Sequence, residues 1–200
     1  MKKLLSTGMI LVMVCMVLSG CGAAKDADTN TLFVEKDNSI IEVSVGAFDK
    51  DYYDEDEFKD YVKDEVAAYK DGGGSGTVKF KKLSVEEETA KLNMKYSDYK
   101  AYTEFVGDEL FAGTVVEALA EGYEFDVDFN IVKDAKIKDS VSASDVTENS
   151  DYKAVVVKKA TDVSVHGTIC YVSDGVKVKD ESTAAVEESA EAGFSYIIYK

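Results

Sequence analysis

The stretch Thr89-Ala-Lys-Leu-Asn-Met-Lys-Tyr96 alternates apolar and polar side chains, and this alternation is the starting point for predicting the fold. Apolar residues occupy one side of the extended chain and polar residues the other, which predicts a strand with one buried face. Residues 77–85 form a similar run, joined to the first by three glutamates. The two runs together predict a β-hairpin and therefore an antiparallel sheet.

Further stretches have the composition of strands, with β-branched and aromatic residues bounded by polar turns. They are residues 31–35, 39–45, 125–131, 154–158, 163–172, 176–178 and 194–199. The last stretch is apolar on both faces, which is typical of a central strand. Asp174-Gly175 is a typical hairpin turn and predicts that the strands on either side of it pair with each other. We expect polar connections at residues 138–151 and 183–192.

Capping residues and apolar stripes at helical spacing predict three helices. The longest covers residues 54–70, with Asp54 at its N-cap and a buried stripe that includes Tyr61, Val62 and Val66. The second begins at Ser97 and ends at Gly107, and the third begins at Thr114. Strands outnumber helices, and hairpins outnumber crossovers. The sequence therefore predicts the α+β class, with a mainly antiparallel sheet and two to three helices packed on it.

The chain is strongly acidic. It carries 39 acidic and 23 basic residues, every basic residue is lysine, and the formal net charge is −16. Such a charge excludes nucleic acid as a partner, because a polyanion would be repelled. A cationic ligand or a divalent ion remains electrostatically possible. The absence of arginine removes the side chain best suited to two-point recognition of phosphate or carboxylate.

The N-terminus has three features of a secretory signal. Met1-Lys2-Lys3 is basic, an apolar run follows from Leu4, and Leu18-Ser19-Gly20-Cys21 ends it with small residues and a cysteine. This arrangement resembles the lipobox of bacterial lipoproteins. The resemblance implies that residues 1–20 are a signal peptide and that Cys21 is lipidated and becomes the new N-terminus. The alternative is an uncleaved transmembrane helix, because residues 4–24 carry no charge.

The lipoprotein resemblance also implies a domain organisation and a location. Residues 21–30 would be a lipidated, flexible tether that spans on the order of 15–18 Å, and residues 31–200 a single α+β domain. The mature domain is similar to the short Gram-positive lipoproteins of unassigned role. We therefore expect a protein held at the cell membrane on the extracytoplasmic face through the lipid on Cys21.

Residues that carry catalytic chemistry are scarce. His166 is the single histidine of the chain and is predicted to lie on the solvent face near a strand end. Cys170 lies in an apolar strand, where a buried structural thiol is expected rather than a nucleophile. The glycine run at residues 72–76 follows a helix and has no Lys-Ser/Thr ending, so it does not match a phosphate-binding loop. We expect no catalytic residue and no cofactor.

Three acidic residues are the best candidates for a cation or ligand site, and they are Glu124, Asp126 and Asp128. They alternate with apolar residues, so they would project from one face of one strand. Paired carboxylates hold divalent cations or perform glycoside hydrolysis, although an amphipathic strand needs a polar face in any case. Residues 49–60 resemble a calcium loop but lack the glycine at its sixth position, and helix capping explains their acids.

Twelve tyrosines and no tryptophan raise the possibility of carbohydrate binding. Tyr96, Tyr99 and Tyr102 cluster in the sequence, but their spacing favours packing at the edge of the core with the hydroxyls reaching water. The sequence therefore indicates a non-catalytic binding or envelope-interaction module, with an envelope protein or a cationic ligand as partner. The alternatives are a solute-binding receptor component and an envelope hydrolase that uses residues 124–128.

Overall fold

The structure, a computed structural model, describes residues 25–187 and 193–200, and within these ranges the chain forms thirteen strands and four helices. The strands are β1 (Thr31–Val34), β2 (Ile40–Ala47), β3 (Val78–Glu86), β4 (Thr89–Tyr96), β5 (Leu110–Thr114), β6 (Phe129–Lys133), β7 (Lys136–Val141), β8 (Lys153–Val157), β9 (Thr161–Val165), β10 (Ile169–Ser173), β11 (Val176–Val178), β12 (Thr183–Val186) and β13 (Ser195–Tyr199). The helices are α1 (Glu55–Asp71), α2 (Tyr99–Val106), α3 (Val115–Ala120) and α4 (Ala143–Thr147).

The described strands form two sheets. Sheet A has the order β11-β12-β9-β1-β2-β4-β3, and sheet B has the order β5-β8-β13-β10-β6-β7. β1 and β9 run parallel, while the other strand pairs of the described chain are antiparallel. The predicted α+β class with antiparallel-rich sheets is confirmed. The prediction of two to three helices omitted α4.

The main core lies between the two sheets. Ile40 and Met94 of sheet A and Val155 and Ile197 of sheet B are buried in it. A second apolar cluster lies on the other face of sheet B, where Phe111, Val115 of α3 and Val146 of α4 are buried, together with β13 residues such as Ile198. Sheet B is therefore covered on both faces. This explains why β13, which lies between β8 and β10, is apolar on both faces as predicted.

Three of the helices begin close to where the sequence predicts. Asp54 caps α1 by accepting a hydrogen bond from the backbone N–H of Glu57 at 2.9 Å. Thr114 forms a capping box with Glu117 at the start of α3. The prediction was one residue early at α2, because Asp98, not Ser97, accepts the capping bond from the Ala101 N–H at 2.8 Å.

The predicted strand at residues 163–172 is wrong. The chain forms β9 in sheet A, crosses over, and forms β10 in sheet B. Gly167 occupies the crossing, where a Cβ would lie 2.6 Å from the carbonyl oxygen of Lys200. Asp174-Gly175 likewise joins β10 to β11 across the two sheets, so it is not the turn of a hairpin. Local composition gives no information on which sheet the next strand enters.

The predicted strand at residues 125–131 is also wrong in its first half, because β6 begins at Phe129. Phe125 and Phe129 are buried while Glu124 is exposed, as alternation predicts. However, residues 124–128 form no ladder with a neighbouring strand. The Glu124 carbonyl instead accepts a hydrogen bond from the hydroxyl of Tyr196. Alternation here reflects a segment outside any strand, whose Phe125 packs against Tyr196 of sheet B.

Several elements were not predicted. β5 is short and contains a glycine, β7 is largely exposed, and β12 lies in the stretch expected to be a polar connection. The remainder of that stretch, residues 188–192, lies outside the described chain. These strands are specified by the neighbours that they pair with, which the local sequence does not reveal.

Residues 25–30, which we call the N-terminal segment, are fixed against sheet A. This corrects the expectation of a flexible tether for this part of the chain. The backbone N–H of Lys25 donates to Oδ1 of Asn93 at 2.8 Å, and Oδ1 of Asn30 accepts from the N–H of Val45 at 2.7 Å. The predicted signal peptide and Cys21 lie outside the described residues. No helix of the described chain is long and apolar enough to cross a membrane.

Candidate functional site

An open groove of about 580 Å³ lies between the ends of β2 and β4 and the first turns of α1. We call it the tyrosine groove. Its floor is the inner face of the two strands, where Ser44 is paired with Leu92 and Gly46 with Ala90. Gly46 and Ala90 have small side chains or none, which leaves space for the groove above this end of the sheet.

Aromatic rings form the wall of the tyrosine groove. The Phe48 ring lies 4.9 Å from that of Tyr53 and 6.1 Å from that of Phe58, measured between centroids. Tyr52 packs edge-on against Tyr53 at 5.0 Å. The backbone beneath these rings is held by a hydrogen bond from the Phe48 N–H to the Glu88 carbonyl and by the Asp54 cap. The wall is therefore preformed.

Three tyrosines of the groove are exposed to solvent. The exposed fraction is 77 % for Tyr52, 61 % for Tyr61 and 42 % for Tyr53. An aromatic residue that stays exposed leaves a large apolar area in water, and a cluster of them marks a binding surface. Tyr61 was assigned to the buried stripe of its helix from its spacing, and that assignment is wrong. Val62, its neighbour in sequence, is the buried residue.

Carboxylates set the charge of the groove. Asp54 and Glu57 line it, the first turn of α1 also carries Glu55 and Asp56, and no lysine is among the lining residues. A helix N-terminus contributes about half a positive charge, which these four acids outweigh. The groove therefore combines apolar and aromatic surface with a negative rim.

The three acidic residues predicted as a cation or ligand site are exposed and lie before β6. Because residues 124–128 are not a strand, Glu124, Asp126 and Asp128 do not share the face of a ladder. Nowhere in the described chain do three or more His, Cys, Asp or Glu side chains come close enough to hold a metal ion. In the stretch that resembles a calcium loop, residues 49–60, Asp54 caps a helix instead.

His166 and Cys170 lie near the crossing between the sheets. His166 is exposed just after β9, as predicted. Cys170 is half-buried in β10, and its thiol donates to the Thr168 carbonyl at 3.4 Å. Burial raises the pKa of this thiol and so disfavours the nucleophilic thiolate. The environment of Cys170 is that of a structural residue.

Two of the tyrosines considered for carbohydrate binding are buried in the core rather than at its edge. Tyr96 and Tyr102 are both almost fully buried, and their rings pack edge-on at 5.1 Å. The Tyr96 hydroxyl donates to Oε2 of Glu42 at 2.8 Å instead of reaching water. Burial raises the pKa of the Glu42 carboxyl. Tyr99 is partly buried, and its hydroxyl donates to Glu121.

Sequence reasoning missed the tyrosines that do form a surface. Tyr52 and Tyr53 follow the end of a strand and precede a helix cap. Neither strand alternation nor helical spacing explains two adjacent large aromatic residues at that position. That position was a usable signal. No protein family matches the chain, and no curated protein or solved structure has detectable similarity to it.

Proposed function

We propose that this protein is a non-catalytic binding module, lipid-anchored at the extracytoplasmic face of a cell membrane, and that the tyrosine groove binds a cationic and partly apolar segment of another envelope component. The resemblance of Leu18-Ser19-Gly20-Cys21 to a lipobox supports the anchor and the location. The exposure of Tyr52 and Tyr61 in a groove with a negative rim is the observation that supports the binding site.

The ligand chemistry follows from the lining of the groove. Aromatic faces attract cations, with roughly 0.5–1 kcal/mol for each contact at an exposed site. Asp54 and Glu57 add attraction for a positive charge, and burial of the apolar floor contributes about 25 cal/mol per Å². A lysine-bearing segment with apolar side chains meets all three requirements. An acidic ligand would be repelled.

Two alternatives have less support. A solute receptor of two lobes needs a cleft between separate bodies, whereas residues of sheets A and B share one core. A hydrolase based on residues 124–128 needs carboxylates that converge on a substrate, and those side chains point into solvent ahead of β6. Both observations favour a binding module.

A peptide titration tests the binding site. The probe is an end-blocked peptide of five residues that alternates lysine and phenylalanine, and the control peptide has glutamate in place of lysine. Calorimetry with the full-length protein, purified from membranes in detergent, is expected to give at least tenfold tighter binding of the lysine peptide. Equal binding of the two peptides would overturn the proposed ligand chemistry.

Variants locate the binding. The double substitution Tyr52→Ala with Tyr61→Ala removes two exposed rings and is expected to weaken binding of the lysine peptide at least tenfold. Leu119→Ala is the matched control, because Leu119 is an exposed apolar residue outside the groove. An affinity that the double variant leaves unchanged would exclude the groove as the binding site.

Mass spectrometry tests the anchor. The native protein is expected to begin at Cys21 with lipid on its sulfur, and Cys21→Ala is expected to leave the membrane fraction. A native protein that still begins at Met1 with an unmodified thiol at Cys21 would overturn the anchor without bearing on the groove.

A further inference from the structure

The N-terminal segment is tied to the outer face of sheet A at its first residues. The N–H of Lys25 donates to Oδ1 of Asn93, whose side chain is only 4 % exposed. Nζ of Lys91 lies 2.8 Å from Oδ1 of Asp28 and 3.2 Å from Oδ1 of Asp26. Four side chains and one backbone group thus fix the start of the segment on β4.

The end of the N-terminal segment is also tied to sheet A. The Asn30 side chain accepts from Val45 of β2, and the Asn30 carbonyl accepts from the N–H of Asp162 at 2.9 Å. The hydroxyl of Thr29 donates to Oδ2 of Asp162 at 2.6 Å. Bonds to β2, β4 and β9 hold the segment across four neighbouring strands of the sheet, β9, β1, β2 and β4.

The position of Lys25 limits where an anchor at Cys21 can lie. Cys21 precedes Lys25 by four residues, and four residues span at most about 14 Å when fully extended. A lipid on Cys21 would therefore enter the bilayer within a short distance of the outer face of sheet A. Because the N-terminal segment is fixed to the sheet, only these four residues can act as a tether. A tether of this length is too short to let the domain turn freely.

The same face of the sheet carries a group of lysines, which we call the lysine face; its members are Lys25, Lys79, Lys82, Lys91 and Lys95. The strand register places Lys79 opposite Lys95, Lys82 opposite Asn93 and Ser84 opposite Lys91, so these residues share one side of β3 and β4. Lys25 lies in the same surface depression as Lys82 and Lys91. Acids share this face, because Lys91 is paired with Asp26 and Asp28, Lys25 is paired with Glu35, and Glu86 lies in the same depression. Within the described residues Lys79 and Lys82 form no ion pair, so they supply the positive charge that the acids leave uncompensated.

We infer that the lysine face lies against the anionic headgroups of the membrane, and that the tyrosine groove is thereby turned away from the bilayer. The inference rests on the proposed lipid anchor. Successive residues of a strand point to opposite faces, so Lys91 and Asn93 project toward the membrane while Ala90 and Leu92 form the floor of the groove. Juxtamembrane lysines are attracted by anionic lipids, which offsets part of the repulsion of an acidic domain.

Dye quenching by lipids tests the orientation. The lipidated full-length protein carries Cys170→Ser, which removes the free thiol of Cys170 that would otherwise react with the dye. The dye is attached at Ser84→Cys on the lysine face or at Lys63→Cys on α1. The vesicles contain phosphatidylcholine, one third phosphatidylglycerol and lipids brominated near the headgroup. We expect the dye at residue 84 to be quenched at least threefold more strongly than the dye at residue 63.

Charge-reversal variants show whether the lysines, and not only the short tether, orient the domain. Lys79→Glu with Lys82→Glu is expected to lower quenching of the residue-84 dye at least twofold, whereas Lys59→Glu with Lys63→Glu on α1 leaves it unchanged. Quenching that is equal at residues 84 and 63, or stronger at 63, in a protein whose mass confirms lipid on Cys21 would overturn the orientation alone. An unmodified Cys21 would overturn the anchor and the orientation together.

Discussion

The two faces of β2 and β4 differ in what covers them. On the inner face, Met94 and Tyr96 are buried in the main core, whereas Leu92 is only partly buried against that core and, together with Ala90, lines the tyrosine groove. On the outer face, the polar side chain of Asn93 is buried beneath the N-terminal segment of the same chain. β4 alternates apolar and polar residues and is thus covered on both sides, and the tyrosine groove reaches it only in its first half, at Ala90 and Leu92.

Alternation in the sequence identifies the apolar and polar faces of a strand, but it does not identify the elements that cover them. An apolar face is buried only as far as another element extends over it, and a polar face is buried wherever it finds hydrogen-bond partners.

The largest effect is expected from truncation of the buried part of the inner face. Met94→Ala removes a side chain that is packed between the sheets, so it should lower the free energy of unfolding by about 2–5 kcal/mol. Leu92→Ala, two residues away on the same face, should cost less, about 1–2 kcal/mol, because that side chain is only partly buried against the core and also lines the groove. Urea unfolding measures both, and equal losses would mean that the groove is closed in solution.

The next effect concerns a buried charge on the inner face. Burial raises the pKa of Glu42 in the folded state above its unfolded value. The wild type should therefore lose stability as pH rises from the unfolded-state pKa to the folded-state pKa of this carboxyl. Glu42→Gln keeps an acceptor for the Tyr96 hydroxyl and removes the charge. We expect a gain of about 1–2 kcal/mol at pH 8 and little change at pH 4. Thermal unfolding at both pH values measures this, and a variant less stable at pH 8 would contradict it.

A smaller effect is expected on the outer face. Asn93→Ala removes the acceptor for the Lys25 N–H and should cost about 1 kcal/mol. Hydrogen exchange in residues 25–30 should become faster, because the segment loses one of its attachments to β4. Lys79→Ala on the same face serves as the control and should leave exchange unchanged. Unaltered exchange in Asn93→Ala would show that the segment is held without this bond.

The smallest effect concerns the contact that holds the far end of α1. Hydrogen bonds from the Ser75 hydroxyl and N–H and from the Tyr69 hydroxyl lower the pKa of the exposed Glu104 carboxyl. The stability that Glu104 contributes is present above the unfolded pKa and is lost as pH falls through the lowered value. Glu104→Gln should therefore lower Tm by about 1–2 °C at pH 7, and the difference should shrink as pH falls through the lowered pKa of Glu104. A decrease of Tm that persists at low pH would point to steric disruption instead.

The sequence predicted the parts of the fold that depend on local spacing. The hairpin of β3 and β4 and three of the helices follow from alternation and caps, and β13 followed from apolar residues on both of its faces. The split between β9 and β10 could not be predicted, because the sheet that a strand joins depends on partners far away in the chain. Gly167 was the one local sign of a close approach at that crossing.

The candidate site was predicted less well than the fold. Helical spacing placed Tyr61 on the same stripe as Val62 and Val66, but spacing does not reveal that Tyr61 borders an open groove and stays exposed there. Alternation in residues 125–131 predicted a ladder over the whole stretch, whereas in the structure only the part from Phe129 onward pairs with a neighbouring strand. In both cases the periodicity was real and the neighbouring element was the missing information.

Binding to the tyrosine groove in the membrane-anchored protein tests most directly whether the two faces of β2 and β4 have separate roles. The lysine–phenylalanine peptide is titrated by calorimetry into lipidated protein on vesicles of phosphatidylcholine with one third phosphatidylglycerol and into the same protein in detergent. Protein-free vesicles of the same composition are the blank for peptide that binds the lipid itself. We predict that the two affinities agree within about twofold, because the groove opens away from the bilayer. Binding in detergent that becomes tenfold weaker on vesicles would contradict this account.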